Sequence, residues 1–112
     1  MPGESTVIER VFATIKTRAS ADPATSYVAA LHAKGRGEIA RKVGEESTEV
    51  VIAAISGGHA DVVHESADLL FHLMVLWSDC GVAPTEVLAE LVRREGTSGL
   101  DEKASRSDGG AS

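Results

Sequence analysis

Two clusters of carboxylates carry the chemistry that this sequence offers. Glu45-Glu46-Ser47-Thr48-Glu49 stands in one stretch of helical pattern, and Glu65-Ser66-Ala67-Asp68 in the next. At about 3.6 residues per turn, Glu46 and Glu49 project from one helix face, and the i, i+4 spacing of Glu45 to Glu49 brings a third carboxylate close. Glu65 and Asp68 repeat the i, i+3 spacing. Like charges so placed destabilise a helix by about 0.2–0.5 kcal/mol per pair, so a fold does not gather them for stability. Hard divalent cations offset the repulsion, and Mg²⁺ or Mn²⁺ takes an all-oxygen shell of carboxylates, water and phosphate. A Glu-rich helix is more often simply a solvated face. Here Val43 and Val50 flank the first cluster, Leu69 and Leu70 follow the second, and Ala67 lies inside it. Such apolar company is a poor setting for solvated charge, and it favours a metal site.

Other side chains extend the same stripes. Lys42 lies one turn before Glu45 and Glu46, where it forms an exposed i, i+4 salt bridge of little energetic weight or meets substrate phosphate beside the metals. His72, at i, i+4 from Asp68, continues the acidic stripe as a core histidine or a substrate contact. His32, His59 and His64 show no zinc spacing with cysteine or with one another. Asp61-x-x-His64 lacks the paired Glu-x-x-His of a di-iron bundle. There is no Gly-x-Gly-x-x-Gly, Walker-type Gly-Lys-Ser/Thr loop or Gly-x-Ser-x-Gly elbow. Phosphate chemistry in this chain must rest on metals.

The elements that position these groups read as helices separated by Gly/Pro punctuation. Ser5 or Thr6 can cap a helix bearing Val7, Ile8, Val11, Phe12 and Ile15 at helical spacing, which Asp22-Pro23-Ala24-Thr25 breaks. Ser26 can cap a short helix through Tyr27, Val28 and Leu31, ending near Gly35-Arg36-Gly37. The next runs from about Glu38 to Ser56, with Ile39, Val43, Val50, Ala54 and Ile55 on its apolar side, and Gly57-Gly58 stops it. A further long helix covers about Ala60 to Asp79. The last, about Thr85 to Glu95, follows Pro84, with Val87, Leu88, Leu91 and Val92 inward. The two central helices should close around Gly57-Gly58 as an antiparallel hairpin. Glu49 lies eight residues before that turn and Glu65 seven after it, so the acidic pairs fall at similar height. The expected fold is all-α, a helical bundle built on this hairpin, in one domain over residues 1–100. The Ser/Gly-rich stretch 101–112 is expected to be a disordered tail.

A chain of 112 residues has a modest core of its own, and the surplus apolar surface on the hairpin favours a homodimer. The net charge of −6 argues against nucleic acid as the main partner. No leader is expected from the first residues, and no stretch approaches the ~20 apolar residues of a membrane span. The single cysteine, Cys80, forms no intrachain disulfide, fits a reducing cytoplasm and reads as a buried or half-buried thiol.

Glu45-Glu46-x-x-Glu49 followed by Glu65-x-x-Asp68 resembles the metal motif of the all-α, MazG-like NTP pyrophosphohydrolases. Lys42-Val43-Gly44-Glu45-Glu46, Ala67-Asp68-Leu69-Leu70-Phe71-His72, Ser26-Tyr27 with Leu31 and Gly35, and Glu90-Leu91 with Arg93-Arg94 narrow the resemblance to the phosphoribosyl-ATP pyrophosphohydrolase family. It covers roughly residues 5–96, with Val28 and Phe71 standing where the family more often has a hydroxyl residue and tyrosine. The resemblance implies Mg²⁺-dependent hydrolysis of phosphoribosyl-ATP to phosphoribosyl-AMP and pyrophosphate, the second step toward histidine, with Mn²⁺ as a possible substitute. It assigns Glu46, Glu49, Glu65 and Asp68 as metal ligands and Glu45 as a further ligand or base. Lys42, Arg94 and Lys34 would add positive charge around the phosphates, and His72 would touch substrate. Helical-bundle dimers are the family's habit. Two rival readings are a house-cleaning (d)NTP pyrophosphohydrolase with the same metals and a non-catalytic acidic interaction module.

Overall fold

A computed structural model describes residues 4–96. Five helices follow one another: α1 (Glu4–Arg18), α2 (Tyr27–Lys34), α3 (Arg36–Ser56), α4 (His59–Cys80) and α5 (Pro84–Arg94). No strand occurs among the described residues, and the all-α expectation holds. The expected tail, 101–112, lies outside them.

Helix ends follow the local chemistry. The Ser26 hydroxyl accepts from the Ala29 N–H at 3.1 Å and caps α2. α1 begins at Glu4, so Ser5 and Thr6 fall inside the helix rather than ahead of it. α3 starts two residues before the expected Glu38, at Arg36, directly after Gly35. α4 closes on Gly81, whose left-handed φ of +74° lets the Val82 N–H reach the Trp77 carbonyl at 2.9 Å. Glu86 accepts the Ala83 N–H at 2.9 Å at the start of α5, where Pro84 occupies the first helical position.

α3 and α4 form the antiparallel hairpin, closed by Gly57-Gly58. The Gly58 N–H donates to the Asp61 carboxylate at 2.9 Å. A Cβ on Gly57 would stand 2.9 Å from both the Ala53 carbonyl oxygen and that Asp61 oxygen. Gly57→Ala is therefore expected to destabilise the fold by about 1–3 kcal/mol, as overpacking does. Urea denaturation would show a lowered midpoint, and an unchanged midpoint would mean that the turn relaxes freely.

The core lies at the open end of the hairpin. Ile15 of α1, Val28 and Leu31 of α2, Ile39 in the first turns of α3, and Met74 and Val75 late in α4 are buried together, with Phe12, Phe71, Leu76 and Trp77 packed around them. Burial of each large apolar side chain contributes about 1.5–3 kcal/mol. Asp79 locks the same end: it takes Arg36 Nε at 2.7 Å and His32 Nδ1 at 3.3 Å, tying the α2–α3 corner to the end of α4. Toward the turn, Ala53 is buried while Val51, Ile52, Ile55 and Val63 stay exposed.

Three expectations change here. Leu91 and Val92, expected inward, are exposed, because α5 meets α1 with Pro84 buried and only Val87 and Leu88 half-buried. Ile55, assigned to the packed side of α3, is 82% exposed in the single chain because it lies beyond the core end. Cys80 is exposed rather than buried, since it is the last residue of α4 and follows the ion-paired Asp79 out toward water.

Candidate active site

Midway along the hairpin, between the core and the turn, an open groove of about 640 Å³ is lined by Lys42, Glu45, Glu46, Thr48, Glu49 and Glu65. Helical spacing brings the α3 glutamates to one side, and the antiparallel return brings Glu65 of α4 opposite them. The Glu46 side chain is only 13% exposed and turns into the helix seam, whereas that of Glu45 is 46% exposed and turns outward. Lys42 Nζ is 3.1 Å from Glu45 and 3.8 Å from Glu46, so it bridges the two and favours Glu45.

Hydrogen bonds from Lys42 first, then from Arg41, hold the Glu45 carboxyl below the usual glutamate range. A carboxylate so held is a weak proton acceptor at neutral pH and a ready oxygen donor. Lys42 is correspondingly pushed up by its bond to Glu45 and stays cationic.

Asp68 does not line the groove. It lies one turn beyond Glu65, with His64 Nε2 3.3 Å from its carboxylate. Ligand atoms of His64, Glu65 and Asp68 all fall within 4.8 Å of one another. Glu65 belongs to both groups, so the oxygen-rich surface runs from α3 across Glu65 to Asp68. His64 was passed over in the sequence for want of zinc spacing. Its i, i+4 relation to Asp68, the same rule applied to the carboxylates, would have found it.

His72 sits in a different setting from the open groove. It is 7% exposed, with Nδ1 2.8 Å from the Asp68 carbonyl and Nε2 2.8 Å from the Tyr27 hydroxyl. Burial, followed by Glu46 and Glu45, raises the Tyr27 pKa, and the charge of Lys42 opposes that rise. Tyr27, on α2, thus feels the charges of Lys42, Glu46 and Glu45. Nothing in the sequence near Tyr27 pointed there, since its partner lies 45 positions away. Lys34 is exposed in the last turn of α2, near Glu38, and Arg94 is paired with Glu90 on α5 at 3.0 Å. Neither lines the groove.

A sequence model of the family described as phosphoribosyl-ATP pyrophosphohydrolase matches residues 8–95. The chain belongs to the phosphoribosyl-ATP pyrophosphohydrolase family. Among curated members, the phosphoribosyl-ATP pyrophosphatase of Paramagnetospirillum magneticum is 55% identical over 106 residues, covering 95% of this chain and 97% of its own. Those of Novosphingobium aromaticivorans and Rhizorhabdus wittichii are 60% and 59% identical over 102 residues, each covering 91% of this chain and 95% and 96% of their own. The span matched by the phosphoribosyl-ATP pyrophosphohydrolase model contains every groove residue, together with Asp68, Tyr27 and His72.

Proposed function

We propose that this chain hydrolyses phosphoribosyl-ATP to phosphoribosyl-AMP and pyrophosphate, the second step of histidine biosynthesis, in a Mg²⁺-dependent reaction in the cytoplasm. The observation that carries this reading is the family match at 55–60% identity over nearly the whole chain, with the acidic groove inside the matched span.

The donor set fits a hard divalent cation. Glu46, Glu49 and Glu65 offer oxygen alone, beside a groove with room for water and a triphosphate, and Asp68 extends the set. These four residues would hold Mg²⁺, with Mn²⁺ as a substitute. A bound divalent ion supplies neutralisation of phosphate charge and an acidified water. The chain's own groups do the rest. The Lys42 ammonium, at the groove wall, would offset charge growing on the departing pyrophosphate. Glu45, kept ionised by Lys42 and Arg41, holds that ammonium in place and adds an oxygen donor at the rim.

The same reading includes a homodimer. Val51, Ile52 and Ile55 lie exposed on one side of α3, Val63 and Leu70 on α4, and Leu91 and Val92 on α5. Burial against a second chain would remove this apolar surface from water. Among the described residues no helix is long and apolar enough to cross a membrane.

Pyrophosphate release from phosphoribosyl-ATP, with ATP and dNTPs in parallel and with Mg²⁺ present or chelated, tests the assignment. Turnover of phosphoribosyl-ATP that requires Mg²⁺ is expected. Preference for a dNTP would move the enzyme to the house-cleaning class, and turnover of none would refute the pyrophosphohydrolase reading.

A further inference from the structure

The edge of the acidic surface on α4 differs from its centre in carrying a nitrogen donor. His64 Nε2 stands 3.3 Å from an Asp68 carboxylate oxygen, beyond the ~2.7–3.2 Å of an ordinary N–H···O hydrogen bond. Two donors about 2.0–2.1 Å from one tetrahedral zinc ion lie about 3.3–3.4 Å apart, so this pair already has the spacing of two ligands on one ion. An oxygen of Glu65 lies within 4.8 Å of both, and a torsional adjustment of that partly exposed side chain closes the remainder. Among the described residues no lysine or arginine pairs with Glu65 or Asp68. Asp61, nearer the turn, is occupied there: its carboxylate accepts the Gly58 N–H at 2.9 Å.

We propose that His64, Glu65 and Asp68 form a site for a borderline divalent cation, Zn²⁺ above all, whose occupation inhibits the enzyme. Imidazole suits Zn²⁺ and is a poor partner for Mg²⁺, whereas the oxygen-only face of Glu46 and Glu49 suits Mg²⁺. His64 is 72% exposed, so water completes the shell of an ion held on this open edge. Glu65 is shared: it lines the groove opposite α3 and belongs to the trio with His64. An ion that engages His64 takes Glu65 and Asp68 away from Mg²⁺, so the two ions compete. The inhibitory effect rests on the reading above, in which Glu65 and Asp68 hold Mg²⁺; the binding of Zn²⁺ stands on the trio alone.

Zn²⁺ added to the whole chain at pH 8 tests the site without any turnover. Long-range ¹H–¹⁵N NMR is expected to show one equivalent of Zn²⁺ moving the ring nitrogens of His64. Those of His32, His59 and His72 should stay unmoved, and Mg²⁺ should move none of the four. By isothermal titration calorimetry, His64→Gln and Asp68→Asn should each weaken Zn²⁺ binding at least about tenfold, since even indirect partners of a bound metal are worth that much. Pyrophosphate release from phosphoribosyl-ATP gives the second readout, each protein being compared with its own zinc-free rate. The Zn²⁺ concentration that halves the Mg²⁺-supported rate should rise at least about tenfold in His64→Gln, and added Mg²⁺ should relieve the inhibition of the wild type. Zn²⁺ that leaves His64 unmoved, shifts His32 or His59 as strongly, or binds and inhibits His64→Gln as it does the wild type would overturn the inference while leaving the Mg²⁺ assignment intact. A wild type inactive on phosphoribosyl-ATP with Mg²⁺ would refute the functional reading, and the NMR and calorimetry would still decide the Zn²⁺ site.

Discussion

Glu49→Gln and Glu65→Gln should each lower turnover of phosphoribosyl-ATP by about a hundred- to a thousand-fold, the scale on which loss of a preorganised charge stabiliser is felt. Each change is nearly isosteric and removes one negative charge from a site where glutamates of two helices face one groove. Without metal, that removal relieves repulsion, so the melting temperature should stay level or rise slightly. With Mg²⁺ the order should reverse. On the proposed metal site, wild type should gain stability by binding the ion in its folded state alone, and the variants should lose most of that gain. Thermal melts with and without Mg²⁺, beside pyrophosphate release, separate the cases. An apo melting temperature that falls together with activity would mean that these carboxylates serve the fold rather than the chemistry.

On the proposed homodimer, Ile55→Glu should leave the protein monomeric. Ile55 is the most exposed large apolar residue among those described, at 82%, and shares its side of α3 with Val51 and Ile52. On a solvated surface such a substitution would change stability by only about 0.5 kcal/mol either way. At the centre of an apolar interface it buries a charge on both sides of a two-fold contact, and central interface residues commonly carry about 2–4 kcal/mol each. Dimerisation should therefore weaken by at least about thirtyfold in affinity, visible by sedimentation equilibrium at micromolar protein. A wild type that sediments as a monomer would rule out the dimer, and a dimeric Ile55→Glu would move the contact to another face.

Much of this was legible from spacing alone. Gly57-Gly58, Gly81 and Pro84 mark helix ends to within one or two residues, because backbone preferences are local. The meeting of Glu46 and Glu49 with Glu65 follows from helical period plus a count of residues on either side of the turn. Asp68 was less well placed by that count: the two pairs are expected at similar height, facing each other, whereas Glu65 faces α3 and Asp68 lies off the groove beside His64. Lys42 was matched to Glu46 by the i, i+4 rule, yet side-chain length and the outward turn of Glu45 bring it closer to Glu45. The Tyr27–His72 bond was beyond reach, since it depends on how α2 crosses α4 and leaves no periodic trace. The exposure of Leu91 and Val92 was misread for a related reason: an amphipathic stripe shows that a face wants cover, not which chain provides it.

The position of the core gives the hairpin an uneven grip. Its open end is clamped by α1, α2 and the Asp79 ion pairs, while its Gly-Gly end has little more than Ala53 under cover. The two acidic faces thus sit partway along prongs held by the handle, where small changes in splay alter the gap between Glu49 and Glu65. Amide hydrogens near residues 50–64 should exchange faster in the isolated chain than those around Ile39 and Val75. A cation between the carboxylates would join the prongs at the height of Glu49 and Glu65, so that added Mg²⁺ should slow this same exchange.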